Sequence, residues 1–300
     1  MPKKISARPQ QSSSQRAKQI ADRALDQLSE QLDAGNSEQL DAYIQAMSRF
    51  HRYSFNNIML IVSQRPEASQ VAGFHTWRKL ERTVKRGEKG IAIFAPMKFK
   101  PNQEQGLQDD PDKQTPRLFF RVVYVFDISQ TEGEPLPEPT RVSGDPGVQL
   151  ESLLTAARDS GLTVEYSNEL SGADGMSKGG RIVLRTGMPP AEQFSVLAHE
   201  WAHEKLHQNK GAPRPSKSVR ETEAEAVAFV VSQAIGLDTG PAASDYIRLY
   251  NGDTETLTAS FDRIQKTACT IIEAIETTTV HQKHLHTAAK RMIISRYKAR

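Results

Sequence analysis

A single cysteine, Cys269, stands in a chain of 300 residues, which excludes an internal disulfide and any cysteine-rich zinc site. Long apolar runs are missing too. No segment approaches the roughly 20 residues that a membrane-spanning helix needs, so no membrane partner is expected. Met1-Pro2-Lys3-Lys4 is followed by Ser and Gln rather than the apolar core of a secretion signal, and the expected location is cytoplasmic. Aromatic residues make up 7% of the chain, with two tryptophans, so the places where they gather are informative. Net charge is small, 39 Lys and Arg against 36 Asp and Glu, but the charges are unevenly distributed. Between His75 and Lys100 lie eight cations, Arg78, Lys79, Arg82, Lys85, Arg86, Lys89, Lys98 and Lys100, against only Glu81 and Glu88. The last twenty residues carry six more and no acid. Both stretches are candidate phosphate-binding surfaces.

The most specific feature present is His199-Glu200-Trp201-Ala202-His203. Residues four apart are neighbours on a helix, so the two imidazoles can share one cation, with zinc, one ion per chain, as the expected cofactor. Glu200 lies about 100° around the helix from His199, where a carboxylate serves as general base toward a water rather than as a ligand. The surroundings predict a helix: Pro189-Pro190 suits its start, Phe194, Leu197, Ala198 and Trp201 repeat at helical spacing, and Gly211 and Pro213 end it. Gly179 to Leu184 reads as a short strand before it, in the position of the sheet edge bordering such a helix. Leu206 and Asn209 stand where a metzincin would need Gly and His, which excludes that class. His207, about 12 Å along the helix from His199, is too far to share its metal and reads as surface.

A third ligand is sought on the next helix, where Glu221, Glu223 and Glu225 lie beside an apolar stripe of Ala224, Val227, Ala228, Val231 and Ile235. At 100° per residue Glu221 falls about 64° from the centre of that stripe and the other two about 100°. Glu221 is therefore the best-placed ligand. Glu225, one turn later, suits the outer N–H of a ligand histidine, and Glu223 is expected to face solvent.

With 37% hydrophobic residues the chain can bury two modest cores. The expected class is α+β in two domains: a disordered start over 1–14, an α+β domain over 15–131, a proline-rich linker over 132–147, a zincin-like domain over 148–280 and a basic tail over 281–300. Helices are predicted over Ile20 to Leu32, ended by Gly35, and from a cap at Ser37 through Met47. Strands are predicted at Ile91 to Ala95 and Leu118 to Phe126, joined by a polar loop over 101–116. Two helices, over 242–250 and 254–276, are expected to close the second domain. In the first domain, Tyr53, Asn57, Phe74 and Trp77 lie in or near the basic stretch carrying Arg78, Lys79, Arg82, Lys85, Arg86 and Lys89. Aromatic faces among cations are what single-stranded nucleic acid requires. Trp77 also reads as a core residue.

Several of these segments together resemble a known family. Tyr53-Ser54-Phe55-Asn56-Asn57, Gly73-Phe74-x-x-Trp77, Val84-Lys85-Arg86-Gly87-Glu88-Lys89-Gly90-Ile91 and Val125 to Thr131 are similar to the N-terminal domain of ArdC-type antirestriction proteins. His199-Glu200-x-x-His203 with Glu221-x-x-Ala224 resembles the metallopeptidase domain those proteins share with the ImmA/IrrE family. The resemblance implies a single-stranded DNA-binding domain fused to a gluzincin-like fold, carried by mobile elements and protecting incoming DNA from restriction. It also implies His199, His203 and Glu221 as ligands and Glu200 as catalytic acid/base. Three activities fit that implication: a working peptidase with a protein substrate, a DNA-binding protein whose metal is structural, and an ImmA-like protease that cleaves a repressor.

Overall fold

The computed structural model describes residues 12–36, 38–98, 118–136, 144–207, 215–237 and 254–298, the side chains at 13, 98, 118, 119, 254 and 283–298 excepted. The predicted loop over 101–116, helix over 242–250, cap at Ser37 and most of the disordered start lie outside the described residues. Helices and strands segregate into an α+β arrangement of two compact units, Met1–Gln27 with Asn56–Leu136, and Leu28–Phe55 with Pro137–Arg300.

The first unit contains the start of α1 (Ser13–Asp33), most of α3 (Phe55–Gln64), β1 (Val71–Gly73), α4 (Phe74–Lys79), β2 (Arg82–Val84), β3 (Ile91–Lys98), β4 (Leu118–Asp127) and β5 (Thr131–Gly133). An antiparallel sheet runs in the order β1-β4-β3, and β2 pairs with β5. Two amides on α3 take the place of a further strand beside β3. Asn57 donates to the Phe94 carbonyl at 2.8 Å and accepts from its N–H at 2.9 Å, and Gln64 does the same at Ala92. A sheet edge otherwise presents unpaired backbone groups. After β4, Asp127 caps a single 3-10 turn over Ile128–Gln130 and also accepts from the N–H groups of Ser69 and Gln70. Burial works against the Asp127 charge, but these hydrogen bonds prevail and hold its carboxyl below the usual range. Buried Gln130 reaches back to the Lys89 carbonyl and the Glu88 carboxylate. The Asp127-to-Thr131 segment thus fixes the turn before β3.

The second unit contains α2 (Glu38–Arg49), α5 (Val148–Asp159), β6 (Thr163–Ser167), β7 (Gly175–Ser177), β8 (Arg181–Arg185), α6 (Pro190–His207), α7 (Lys217–Ala234) and α8 (Thr254–Lys298). Gly35, at φ +76°, closes α1 in the left-handed region that glycine tolerates. Contacts group Leu28–Phe55 with the second half of the chain. The physical reason is the face of α2 formed by Leu40, Tyr43, Ile44 and Met47, which is buried in a helix that packs on α7. α7 itself is flanked by α2, α6 and α8. The sheet order is β6-β8-β7, with β6 parallel and β7 antiparallel to β8. The strand predicted at 179–184 is therefore central, with Ile182 and Leu184 fully buried, and the edge facing α6 is the short β7. α8 runs to Lys298, so the basic tail continues a helix. No helix among the described residues is long and apolar enough to cross a membrane.

Candidate functional site

α6 starts at Pro190, where the missing N–H costs nothing, and buries Phe194, Leu197, Ala198 and Trp201 on the face that its spacing predicted. That burial turns His199 and His203 toward α7. His203 Nε2 lies 3.0 Å from His199 Nε2 and 3.3 Å from Glu221 Oε2, and His199 Nε2 lies 3.6 Å from the same oxygen. Ligands about 2.0–2.1 Å from a tetrahedral ion are about 3.4 Å apart, so the donor triangle fits one divalent metal. Glu225 Oε2 accepts from His199 Nδ1 at 3.2 Å, which leaves the Nε2 lone pair pointing into the triangle.

The electrostatics follow from this crowding. Burial opposes a charge on His199, but the Glu225 hydrogen bond and the charges of Glu200, Glu225 and Glu221 outweigh it and raise its pKa. Burial and the neighbouring His199 push His203 down to about 4. The His199 hydrogen bond lowers the pKa of Glu225. Glu200 is 8% exposed, and burial raises its carboxyl pKa against the pull of His199 and a hydrogen bond from Ser177. A buried carboxylate with elevated proton affinity is suited to general acid and base work.

Two features of this site were not read from the sequence. Gly175 on β7 is so close to α6 that a Cβ there would meet Val196 Cγ1 at 2.7 Å and Glu200 Cγ at 2.8 Å. Ser177, two residues on, supplies the hydrogen bond to Glu200. A three-residue strand has too little periodicity to announce itself.

Two expectations are corrected. Glu223 does not face solvent: it is fully buried, accepting from Ser260 Oγ at 2.7 Å and pairing with Arg263 of α8. A single apolar stripe implies one packed face, and α7 packs on three sides, against α2, α6 and α8. His207 is not surface either; its side chain is 2% exposed, with Nε2 3.2 Å from the Arg220 carbonyl and 3.9 Å from Glu223.

The residues marked for DNA divide sharply. Trp77 is 2% exposed and donates to the Phe126 carbonyl, Arg82 is buried against Thr131, Gly133 and Glu134, and Asn57 is committed to β3. Phe74, Arg78, Lys79, Lys85, Arg86 and Lys89 are exposed, Lys85 donating to the Ser129 carbonyl, while Tyr53 is half-buried in the other unit.

Comparison with known proteins places these observations. Residues 16–126 match the N-terminal domain of anti-restriction factor ArdC, and residues 159–235 match the IrrE N-terminal-like domain. An uncharacterized protein of Bacillus anthracis is 27% identical over 91% of this chain and 54% of its own length, so the chain spans about half of that relative. The metal-free crystal structure of the antirestriction ArdC protein from plasmid R388 aligns with a TM-score of 0.51 at 16% identity, over 86% of this chain and 98% of that one. Its Mn(II)-bound form aligns at 0.50 and 18%, over 85% and 98%.

Proposed function

From a chain that joins an ArdC N-terminal domain to an IrrE-like domain, we infer a cytoplasmic single-stranded DNA-binding antirestriction protein of a mobile element, with a metallopeptidase centre in its second domain. The observation that carries the peptidase half is the donor triangle of His199, His203 and Glu221 with buried Glu200 beside it. The likeness runs through both domains, which favours this reading over a stand-alone protease that cleaves a repressor. The R388 relative, named for its plasmid and its antirestriction role, supports the mobile-element setting.

We propose zinc, one ion per chain, held by His199, His203 and Glu221; the Mn(II) form of the R388 protein supports a divalent site, and supply decides among such ions. A bound ion would act as a Lewis acid toward a peptide carbonyl and a water. Glu200 then accepts the water's proton at its carboxylate and returns it to the leaving amine. Burial against Gly175 raises that carboxylate's proton affinity, and the Ser177 hydrogen bond orients it. Among the described residues β7 is an edge strand of its sheet, and an extended peptide would pair along that edge.

The DNA half is tested by fluorescence anisotropy with a labelled oligothymidine and the matching duplex over a series of salt concentrations. Tighter binding to the single strand, weakening steadily as salt rises, is expected. Equal or absent binding to both would contradict the reading.

A further inference from the structure

Side chains alternate across a strand, and the two faces of the β1-β4-β3 sheet are unlike. Ile91, Ile93 and Val125 point to one face and are buried. The pairing of Ala92 with Tyr124, Phe94 with Val122 and Pro96 with Phe120 sets those six residues on the other face. None of the six is buried; Phe120 is 61% and Tyr124 54% exposed. An apolar sheet face left exposed among the described residues is unusual for a chain in water and marks a binding surface.

Charge says what it binds. Tyr124 is also a wall of a cavity of about 520 Å³ whose other walls include Arg16, Arg65, Lys89 and Gln64, with no carboxylate among its lining residues. Gln64 is spent on β3, and Arg65 is shared with Glu67 and Glu88. Arg16 and Lys89 are exposed. Gly90 keeps the chain close to Tyr124, since a Cβ at that position would meet Tyr124 Cβ at 2.8 Å.

We propose that this sheet face is where single-stranded DNA lies, with bases stacked on Phe120 and Tyr124 and a backbone phosphate beside Arg16 and Lys89 in the adjoining cavity. The proposal rests on the single-strand-binding reading and names its surface. The two rings are four residues apart on one strand, roughly 13 Å, with Val122 and Phe94 between them. A strand running along β4 meets an aromatic plane at each end and a cationic cavity at one. Stacking on a flat aromatic face is indifferent to base identity, which suits a protein that must accept any incoming strand. This surface differs from the one that cation density alone would choose, where Trp77 and Arg82 are buried.

The test uses the full chain and a labelled oligothymidine. Phe120→Ala/Tyr124→Ala should weaken binding about 30-fold or more with an unchanged salt slope. Arg16→Ala/Lys89→Ala should reduce that slope by about 1.4, two single-strand phosphate contacts at about 0.7 each. All four side chains are exposed, and melting temperatures within a degree or two of wild type confirm intact folds; Phe120→Leu/Tyr124→Leu repeats the loss of stacking while keeping apolar bulk. Wild-type affinity in both aromatic variants overturns this surface while leaving DNA binding standing. So does a loss confined to Arg78→Ala/Lys79→Ala/Arg86→Ala, or a wild-type dimer that the aromatic variants dissociate with binding unchanged. No binding by the wild type removes the DNA reading itself.

Discussion

Glu200→Gln is expected to lower peptide cleavage by about 10²–10⁴-fold while metal content and DNA binding stay at wild-type levels. The geometry separates these functions. Glu200 is not among the three donors, and it sits beside the centre, buried against Gly175 and hydrogen-bonded to Ser177. Glutamine keeps the shape and the hydrogen bond but cannot take up a proton. The metal-free fold should not suffer. Burial raises the Glu200 pKa, so its ionisation costs stability, a cost that begins above the unfolded-state value and is complete above the folded one. A neutral side chain removes that cost, and at neutral pH the variant should melt no lower than wild type. Cleavage at the wild-type rate would remove Glu200 from the chemistry. Loss of metal together with cleavage would make it a ligand instead.

The second large effect distinguishes two acids separated by one residue. Glu221→Ala should lose most of the metal affinity yet leave the melting temperature of the metal-free protein nearly unchanged, because the Glu221 side chain is 48% exposed. Glu223→Ala should do the reverse at first order, destabilising the metal-free fold by about 2–4 kcal/mol. Glu223 is the buried acceptor for Ser260 and Arg263 and lies 3.9 Å from His207. The lower part of that range is expected, since Arg263 is 45% exposed and can turn to water once its partner is gone. Chemical denaturation of both variants with chelator present, then metal titration of each, gives the comparison. Equal stability in the two would mean that the buried Glu223 contacts to Ser260 and Arg263 add nothing to the fold.

Much of this arrangement is legible in the residues because it obeys simple periods. The i, i+4 histidines, the apolar repeat of α6 and the position of Glu221 follow from 3.6 residues per turn, and the structure brings those side chains together. The failures also have physical causes. The stripe on α7 located Glu221 but misplaced Glu223, because a helix packed on three sides has buried positions outside any single stripe. His207 followed it inside. Counting cations could not tell Arg82, spent on the β2–β5 ladder, from Lys89, which lines an open cavity. The aromatic residues of β4 were visible as a strand, and alternation puts Phe120 and Tyr124 on one face; that this face is the exposed one, opposite buried Ile91, Ile93 and Val125, depends on tertiary packing that strand periodicity does not reveal.

Elemental mass spectrometry on the purified chain, beside His199→Ala/His203→Ala, decides whether His199, His203 and Glu221 form one divalent-metal centre. About one divalent ion per chain is expected in the wild type and none in the variant. Metal at equal levels in both, or in neither after incubation with zinc or manganese, would contradict that assignment.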